Sequence, residues 1–308
     1  MHIDQLIEDA SRGDVRAVGR ICSVVEAGGE DAVAVSGQLY PTGGDAWTTG
    51  VTGVPGAGKS TLVSELVEFA LTDKNRVAVL AVDPSSPFSG GAILGDRVRM
   101  GAHSGNDKVF IRSVANRGHL GGISTSTPAM AACLAGLGFE EIVIETVGVG
   151  QSEVEIASAA DTTVVVVTAG WGDSVQAAKA GFLEIADIFV VNKADTAGAD
   201  AAVSDINSML DIGPDTPWRP PVLQTVASDG VGVGELWEAV VNHRKHLVDS
   251  GELGERRRMR AAHDLAMALQ AGIDRSMNSD EPTSELLDDI VERRTDPWSA
   301  ADRLLETL

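Results

Sequence analysis

Between residues 47 and 227, short apolar runs rich in Val and Ile alternate with segments whose apolar residues recur at helical spacing. The runs occupy residues 77–82, 109–111, 142–144, 163–167, 188–191 and 222–226, and a further strand-like stretch covers 45–52. A strand that is apolar along its whole length has no solvent face. Alternated with helices, such strands predict an α/β fold: a mostly parallel sheet with helices on both faces. Its ligands are expected beyond the carboxyl ends of the strands.

The flanks read differently. Residues 1–40 carry short helical patterns, with Asp14 as a candidate N-cap. A helix starts near Gly234, and Arg256-Arg257-Arg258-Met259-Arg260 then opens a charged helical tail, broken at 278–282 and at Asp296-Pro297. The expected division is a helical extension at 1–40, an α/β domain at 41–246 and a helical arm at 247–308. The arm cannot build a core alone; such helices find a partner or pack back on the main domain, and dimerisation is the expected outcome. The arginine run reads as a solvated face balanced by Glu252 and Glu255.

Composition narrows the function. The 308 residues include 44% hydrophobic ones, enough for a sizeable core, and the net charge of −21 disfavours a nucleic-acid or anionic-membrane partner. With only Cys22 and Cys133, neither a disulfide framework nor a thiolate metal cluster can be built. The N-terminus lacks a basic segment leading into an apolar run, and no stretch is long enough to span a bilayer. A cytoplasmic protein is expected.

The chemistry starts at Gly53-Val54-Pro55-Gly56-Ala57-Gly58-Lys59-Ser60, a complete G-x-x-x-x-G-K-[ST] phosphate loop between a strand and a helix. Its backbone N–H groups turn inward on phosphates, Lys59 reaches the terminal phosphates, and the Ser60 hydroxyl suits Mg²⁺; Thr61 continues into the helix whose dipole favours the anion. Asn192-Lys193-Ala194-Asp195 follows a buried strand on the same edge. There the Asp195 carboxylate can accept from N1–H and the exocyclic amine of guanine, an arrangement adenine does not match. GTP or GDP is therefore the expected nucleotide.

Glu145 ends the 142–144 strand and Gly148 follows, the layout of a metal-binding strand and a γ-phosphate-sensing turn, with Glu where Asp is usual. Val149 stands where Ras-like GTPases carry the water-orienting glutamine, and Gln151 comes later. Slow intrinsic hydrolysis is expected, with something else completing the site. Asp83 and Asp96 flank a Pro- and Gly-rich segment, either closing on Mg²⁺ with GTP or serving as turn and cap residues.

Taken together, these motifs with Ala81-Val82-Asp83-Pro84-Ser85-Ser86-Pro87, Leu94-Gly95-Asp96-Arg97-Val98-Arg99-Met100, Arg117-Gly118-His119-Leu120-Gly121-Gly122, Glu145-Thr146-Val147-Gly148-Val149-Gly150-Gln151-Ser152-Glu153 and Asp296-Pro297-Trp298-Ser299-Ala300-Ala301 are distinctive. On them the chain resembles the MeaB/ArgK/MMAA family, GTPase chaperones of adenosylcobalamin-dependent acyl-CoA mutases such as methylmalonyl-CoA mutase. The resemblance implies a homodimer that binds the mutase, gates adenosylcobalamin delivery with GTP, and protects or reactivates the mutase. The cobalamin would be carried by the partner, with a cobalamin adenosyltransferase as a further candidate partner. Ser60, Asp83, Asp96 and Glu145 would surround Mg²⁺. On Gly172-Asp173-Ser174-Val175-Gln176-Ala177-Ala178-Lys179, the resemblance implies that Asp173 and Lys179 move toward the nucleotide when the mutase docks, Lys179 acting much as an arginine finger does.

There are two departures. Val226-Ala227-Ser228 stands where the family carries a Ser-Ala pair at the guanine edge, leaving a backbone contact from Ala227, and Trp171 is bulky for its place, a feature expected to bear on partner choice. Rival readings are a metal-insertion GTPase, a kinase linked to amino-acid transport, and a non-hydrolysing GTP-binding module. The first needs clustered His or Cys ligands; His243 and His246 lie one turn apart on a charged helix and read as solvated, and the other histidines form no ligand pattern.

Overall fold

Trp47 to Gly53 form strand β1, buried throughout, and the rest of the sheet assembles around it. A computed structural model describes residues 2–84, 103, 106–116, 126–146, 152–171, 176–214, 216–278 and 280–305. Its strands are β2 (Val77–Pro84), β3 (Val109–Asn116), β4 (Glu141–Thr146), β5 (Thr162–Val167), β6 (Ile188–Asn192) and β7 (Val222–Thr225). They form a seven-stranded sheet in the order β3-β2-β4-β1-β5-β6-β7, with every pairing parallel. The expected α/β architecture is therefore the observed one. β1 lies between β4 and β5, where the crossovers change direction, and its carboxyl end opens onto the crevice in which such sheets bind ligands.

Each apolar strand feeds two cores, because successive side chains point to opposite faces. Ile142 and Ile144 enter a cluster with Leu80, Val114, Ile21, Val35 and Met130. Val143, between them, enters another with Val79, Val164, Leu62, Leu66 and Leu236. The first face is covered by α1 (Ile3–Ser11), α2 (Val15–Ala27), α3 (Gly29–Leu39) and α5 (Ser126–Gly136), with α2 and α3 packing on α5. Asp14 caps α2 as expected, accepting from Arg16 N–H (2.7 Å) and Ala17 N–H (3.2 Å). The opposite face carries α4 (Lys59–Asp73) packed on α9 (Val233–Ser250). A third cluster joins β5 and β6 to α7 (Gln176–Ile185) and α8 (Ala199–Ile212); α6 (Ser152–Ala159) packs on β1. No helix among the described residues is long and apolar enough to cross a membrane.

The chain divides into two compact units, Met1–Arg258 and Met259–Leu308. Helix α10 (Glu252–Asn278) begins in the first and continues into the second, which also holds α11 (Asp280–Val291) and α12 (Pro297–Leu305). Asp296 caps α12, accepting from Trp298 N–H (3.0 Å) and Ser299 N–H (3.1 Å).

At the amino ends of the strands the structure departs from expectation. Arg256 does not pair with Glu252 or Glu255 on a solvated face; it makes a two-pronged contact with Asp187 (2.9 and 3.1 Å), the residue preceding β6. Arg257 similarly grips Asp161 (both bonds 3.2 Å) and donates to Gly44 O (2.8 Å) and Ala46 O (2.9 Å). His243 is not solvated either: it is 0% exposed, with Nδ1 2.9 Å from Thr162 Oγ1, Nε2 3.3 Å from Asp187 Oδ1 and the Trp218 ring 4.8 Å away. Guanidinium forks satisfy buried carboxylates more completely than neighbouring surface glutamates could use them, and two bare buried carboxylates would be far costlier than two bare surface ones.

The acids of this edge make opposite pH contributions. Burial works against the charged form of Asp187, but the hydrogen bond and field of His243, then those of Arg256, outweigh it and hold the carboxyl below its usual range. Its stabilisation is complete above the unfolded value near 4 and is lost as pH falls through the folded one. Asp187→Asn is expected to destabilise the protein by about 3 kcal/mol at pH 7 in denaturant unfolding, the gap to wild type closing in acid. Glu141, bonded to Thr49 Oγ1 at 2.6 Å, is pushed up by burial to about 8 from an ordinary 4.5. Its contribution is complete below 4.5 and fades as pH rises through about 8, so Glu141→Gln is expected to flatten the alkaline side of the stability profile.

Candidate nucleotide-binding site

The phosphate loop leaves the carboxyl end of β1 in a conformation that only glycine tolerates. Gly53 has φ 132°, and a Cβ there would stand 1.9 Å from Val166 O. Gly58, at φ 87°, precedes α4 with no side-chain cap, so the first turn, Lys59 to Thr61, begins directly from the loop. Helix N–H groups and the helix dipole are then presented to whatever anion the loop cradles. Lys59 is buried, its Nζ donating to Gly53 O (2.8 Å) and Val54 O (3.0 Å), which stations the ammonium over the loop.

Ser60 and Glu145 meet. The Ser60 hydroxyl donates to Glu145 Oε1 at 2.6 Å, both residues being buried, because β4 pairs with β1 in a register that sets Glu145 beside Val51. Hard oxygen donors beside an anion cradle fit Mg²⁺, whose remaining positions commonly go to phosphate and water. Thr146 Oγ1 donates to Thr52 Oγ1 (2.9 Å), joining the ends of these two strands just ahead of the loop.

The Asn192 side chain ties the other half together. Its Nδ2 donates to Ala57 O (2.7 Å), while its Oδ1 accepts from Thr225 Oγ1 (2.9 Å) and Ala227 N–H (3.1 Å), all in a buried setting. One amide therefore joins β6, the end of β7 and the phosphate loop. Lys193 adopts φ 58°, a conformation L side chains seldom take, and donates from Nζ to Gly56 O (2.8 Å). The turn closes with Thr196 N–H on Lys193 O (3.0 Å), leaving the Asp195 carboxylate exposed on the sheet's ligand edge.

Thus Gly53, Val54, Pro55, Gly56, Ala57, Gly58, Lys59, Ser60, Thr61, Glu145, Asn192, Lys193, Asp195 and Ala227 gather along one edge. Asp83 lies in β2, paired with Ala115, and Lys179 lies in α7; only their backbones are described. Asp96, Gly148, Val149, Gln151 and Asp173 fall outside the described residues. Sequence reasoning missed Thr52, Thr146 and Thr225. The signal was a hydroxyl residue at the carboxyl end of an otherwise apolar strand, where a polar side chain needs a partner. It also missed His103, whose Nε2 sits 3.1 Å from Ser64 Oγ and 3.0 Å from Ser64 O on α4. No cluster of His, Cys, Asp and Glu suited to a metal ion by itself occurs among the described residues.

Comparison with known proteins gives a consistent family. The model of methylmalonyl-CoA mutase-associated GTPase MeaB matches residues 16–281. A Pyrococcus horikoshii relative assigned to the GTPases is 44% identical, covering 99% of this chain and 98% of its own. The mouse mitochondrial homolog of methylmalonic aciduria type A is 37% identical over 68% of this chain and 51% of its own. Among solved structures, a LAO/AO transport system kinase aligns at a TM-score of 0.71 and 25% identity, covering 99% of this chain and 97% of that one.

The packing predicts a strict requirement at position 58. A Cβ on Gly58 would lie 2.6 Å from Asn192 Nδ2, in a left-handed conformation besides. Gly58→Ala is therefore expected to lower guanine-nucleotide affinity by at least about tenfold in calorimetry, since it displaces the amide that ties the loop to β6 and the end of β7.

Proposed function

Because the chain belongs to the MeaB family of methylmalonyl-CoA mutase-associated GTPases, we propose that it hydrolyses GTP slowly by itself and faster when an adenosylcobalamin-dependent acyl-CoA mutase docks. Turnover then gates cofactor delivery to that mutase and protects or reactivates it, with the enzyme acting on methylmalonyl-CoA as the first partner. The observation that carries the nucleotide reading is the Asn192 amide, which couples the phosphate loop to the edge bearing Asp195. Phosphate and base recognition are thereby built into one unit.

In this reading the loop's N–H groups bind the β- and γ-phosphates, and Lys59 exchanges its carbonyl partners for phosphate oxygens. Ser60 and Glu145, joined by Asp83 and Asp96, hold Mg²⁺, which supplies charge neutralisation at the phosphates. Asp195 selects guanine, and Gly148 senses the γ-phosphate. In this reading Ala227 lends a backbone contact at the guanine edge, its own N–H remaining committed to Asn192 Oδ1. With Val149 in place of a water-orienting glutamine, Asp173 and Lys179 complete the site when the partner arrives, the ammonium stabilising charge that develops on the transferred phosphoryl group.

The 259–308 unit exposes Met259 (66%), Leu265 (62%) and Leu269 (60%), which supports a role for the arm at residues 247–308 in homodimerisation. Cys22 and Cys133 are buried free thiols, in keeping with a cytoplasmic setting. Adenosylcobalamin is assigned to the partner, and a cobalamin adenosyltransferase is a candidate for the same assembly.

The deciding measurement is GTP hydrolysis with and without purified methylmalonyl-CoA mutase, with ATP as control. Low basal turnover is expected to rise at least about tenfold with the mutase. Lys179→Ala should blunt that rise while GDP affinity stays within about twofold, and a wild-type response from this variant would remove Lys179 from the mechanism. Asp195→Asn is expected to weaken GTP binding by at least about tenfold and to narrow discrimination against ATP.

A further inference from the structure

Trp171 follows β5 on the ligand edge of the sheet. The chain turns at once after the strand, with Trp171 N–H donating to Thr168 O (3.2 Å) and Gly170 at φ 79°. A turn with a left-handed third residue favours glycine there. It returns the indole to the core, where Trp171 is 4% exposed. Expected from the sequence to bear on partner choice, this residue is too buried to form a docking surface, and any influence it has must pass through packing.

That packing leads in two directions. Trp171 meets Phe182 of α7, with ring centroids 6.3 Å apart at 35° and Phe182 only 1% exposed. Both rings belong to the cluster of β5, β6 and α8 against which Val54 of the phosphate loop also packs. One apolar cluster thus includes Val54 next to the nucleotide cradle and Phe182 on the helix that carries Lys179. Positions 179 and 182 are one turn apart on α7, so fixing Phe182 fixes where the backbone presents position 179. Densely packed side chains transmit small displacements instead of absorbing them.

We propose that the Trp171–Phe182 pair is a positioning brace that carries the state of the nucleotide at the phosphate loop to α7, and so sets the placement of Lys179. The brace rests on the GTPase reading above and adds a regulatory linkage to it. Trp171 does not touch the nucleotide; it acts through Phe182.

Intrinsic tryptophan emission tests this, with GDP exchanged for a non-hydrolysable GTP analogue in the presence of Mg²⁺ and binding of both followed by calorimetry. The wild-type emission is expected to change on exchange. Trp171→Phe, which retains Trp47, Trp218, Trp237 and Trp298, should abolish that change with GDP affinity within about twofold. Under the conditions in which Lys179→Ala lowers hydrolysis, Trp171→Ala should lower kcat by about tenfold or more with KM nearly unchanged, and Trp171→Phe should restore most of it. An emission change that survives in Trp171→Phe, no change in the wild type although both nucleotides bind, or a wild-type kcat in Trp171→Ala would each overturn the brace alone. Failure of both guanine nucleotides to bind would overturn the GTPase reading and the brace with it. If Trp171→Ala does not fold, the emission comparison decides.

Discussion

A single buried amide holds the ligand edge of this protein together. Asn192 places a donor on the phosphate loop at Ala57 and an acceptor on Thr225 and Ala227, so three separate stretches of chain depend on its orientation. Each of these groups is withdrawn from water, and an unpaired buried polar group costs on the order of 1–3 kcal/mol. The amide therefore has one satisfactory rotamer, and the loop has one place to go. Glycine at position 58 is part of the same constraint, since only a missing side chain lets the loop approach Asn192.

The two edges of the sheet solve different problems with the same strands. At the carboxyl edge, Ser60, Glu145, Lys59 and Asn192 are arranged around the phosphate loop and its following helix, with backbone carbonyls and hydroxyls supplying partners. At the amino edge, Asp161 and Asp187 take Arg257 and Arg256, while His243 bridges Thr162 and Asp187. Buried ion pairs add little net stability beyond an apolar substitute, but a bare charge left behind by losing one partner is expensive. The arginine contacts thus secure the second turn of α10 to the sheet more by penalising its loss than by strong attraction. The acidic surplus of the chain makes such pairing consequential, because each half-buried guanidinium offsets a carboxylate that is almost wholly withdrawn from water.

Between these edges lies a packed interior in which β2 to β6 each contribute to two cores. The consequence is mechanical. Residues such as Val54, which packs against two of the clusters, connect the nucleotide loop to helices that never reach the nucleotide. A change at the loop has a physical route to α7 through these side chains, and the membership of Trp171 and Phe182 in the same cluster gives that route aromatic mass.

Much of this was legible in the order of residues. Unbroken apolar runs separated by helical periodicity identify a parallel sheet, because a strand covered on both faces cannot alternate, and all of the anticipated strands are present in it. The glycines, Lys59 and Ser60 announce a phosphate loop through local backbone demands that neighbouring residues alone impose. Asp14 could be named as a cap for the same reason: its side-chain bonds are to Arg16 and Ala17, two and three residues on. What escaped the sequence depends on residues far apart in the chain. His243 looked solvated because the adjacent helix positions are charged, yet Thr162 and Asp187 wait for it across the sheet. Arg256 and Arg257 appeared balanced by nearby glutamates, but their carboxylates arrive from Asp187 and Asp161 only after β5 and β6 have paired. Local geometry is written in short stretches of chain, whereas the partner of a buried charge is chosen by which strand ends the completed sheet brings within hydrogen-bond reach.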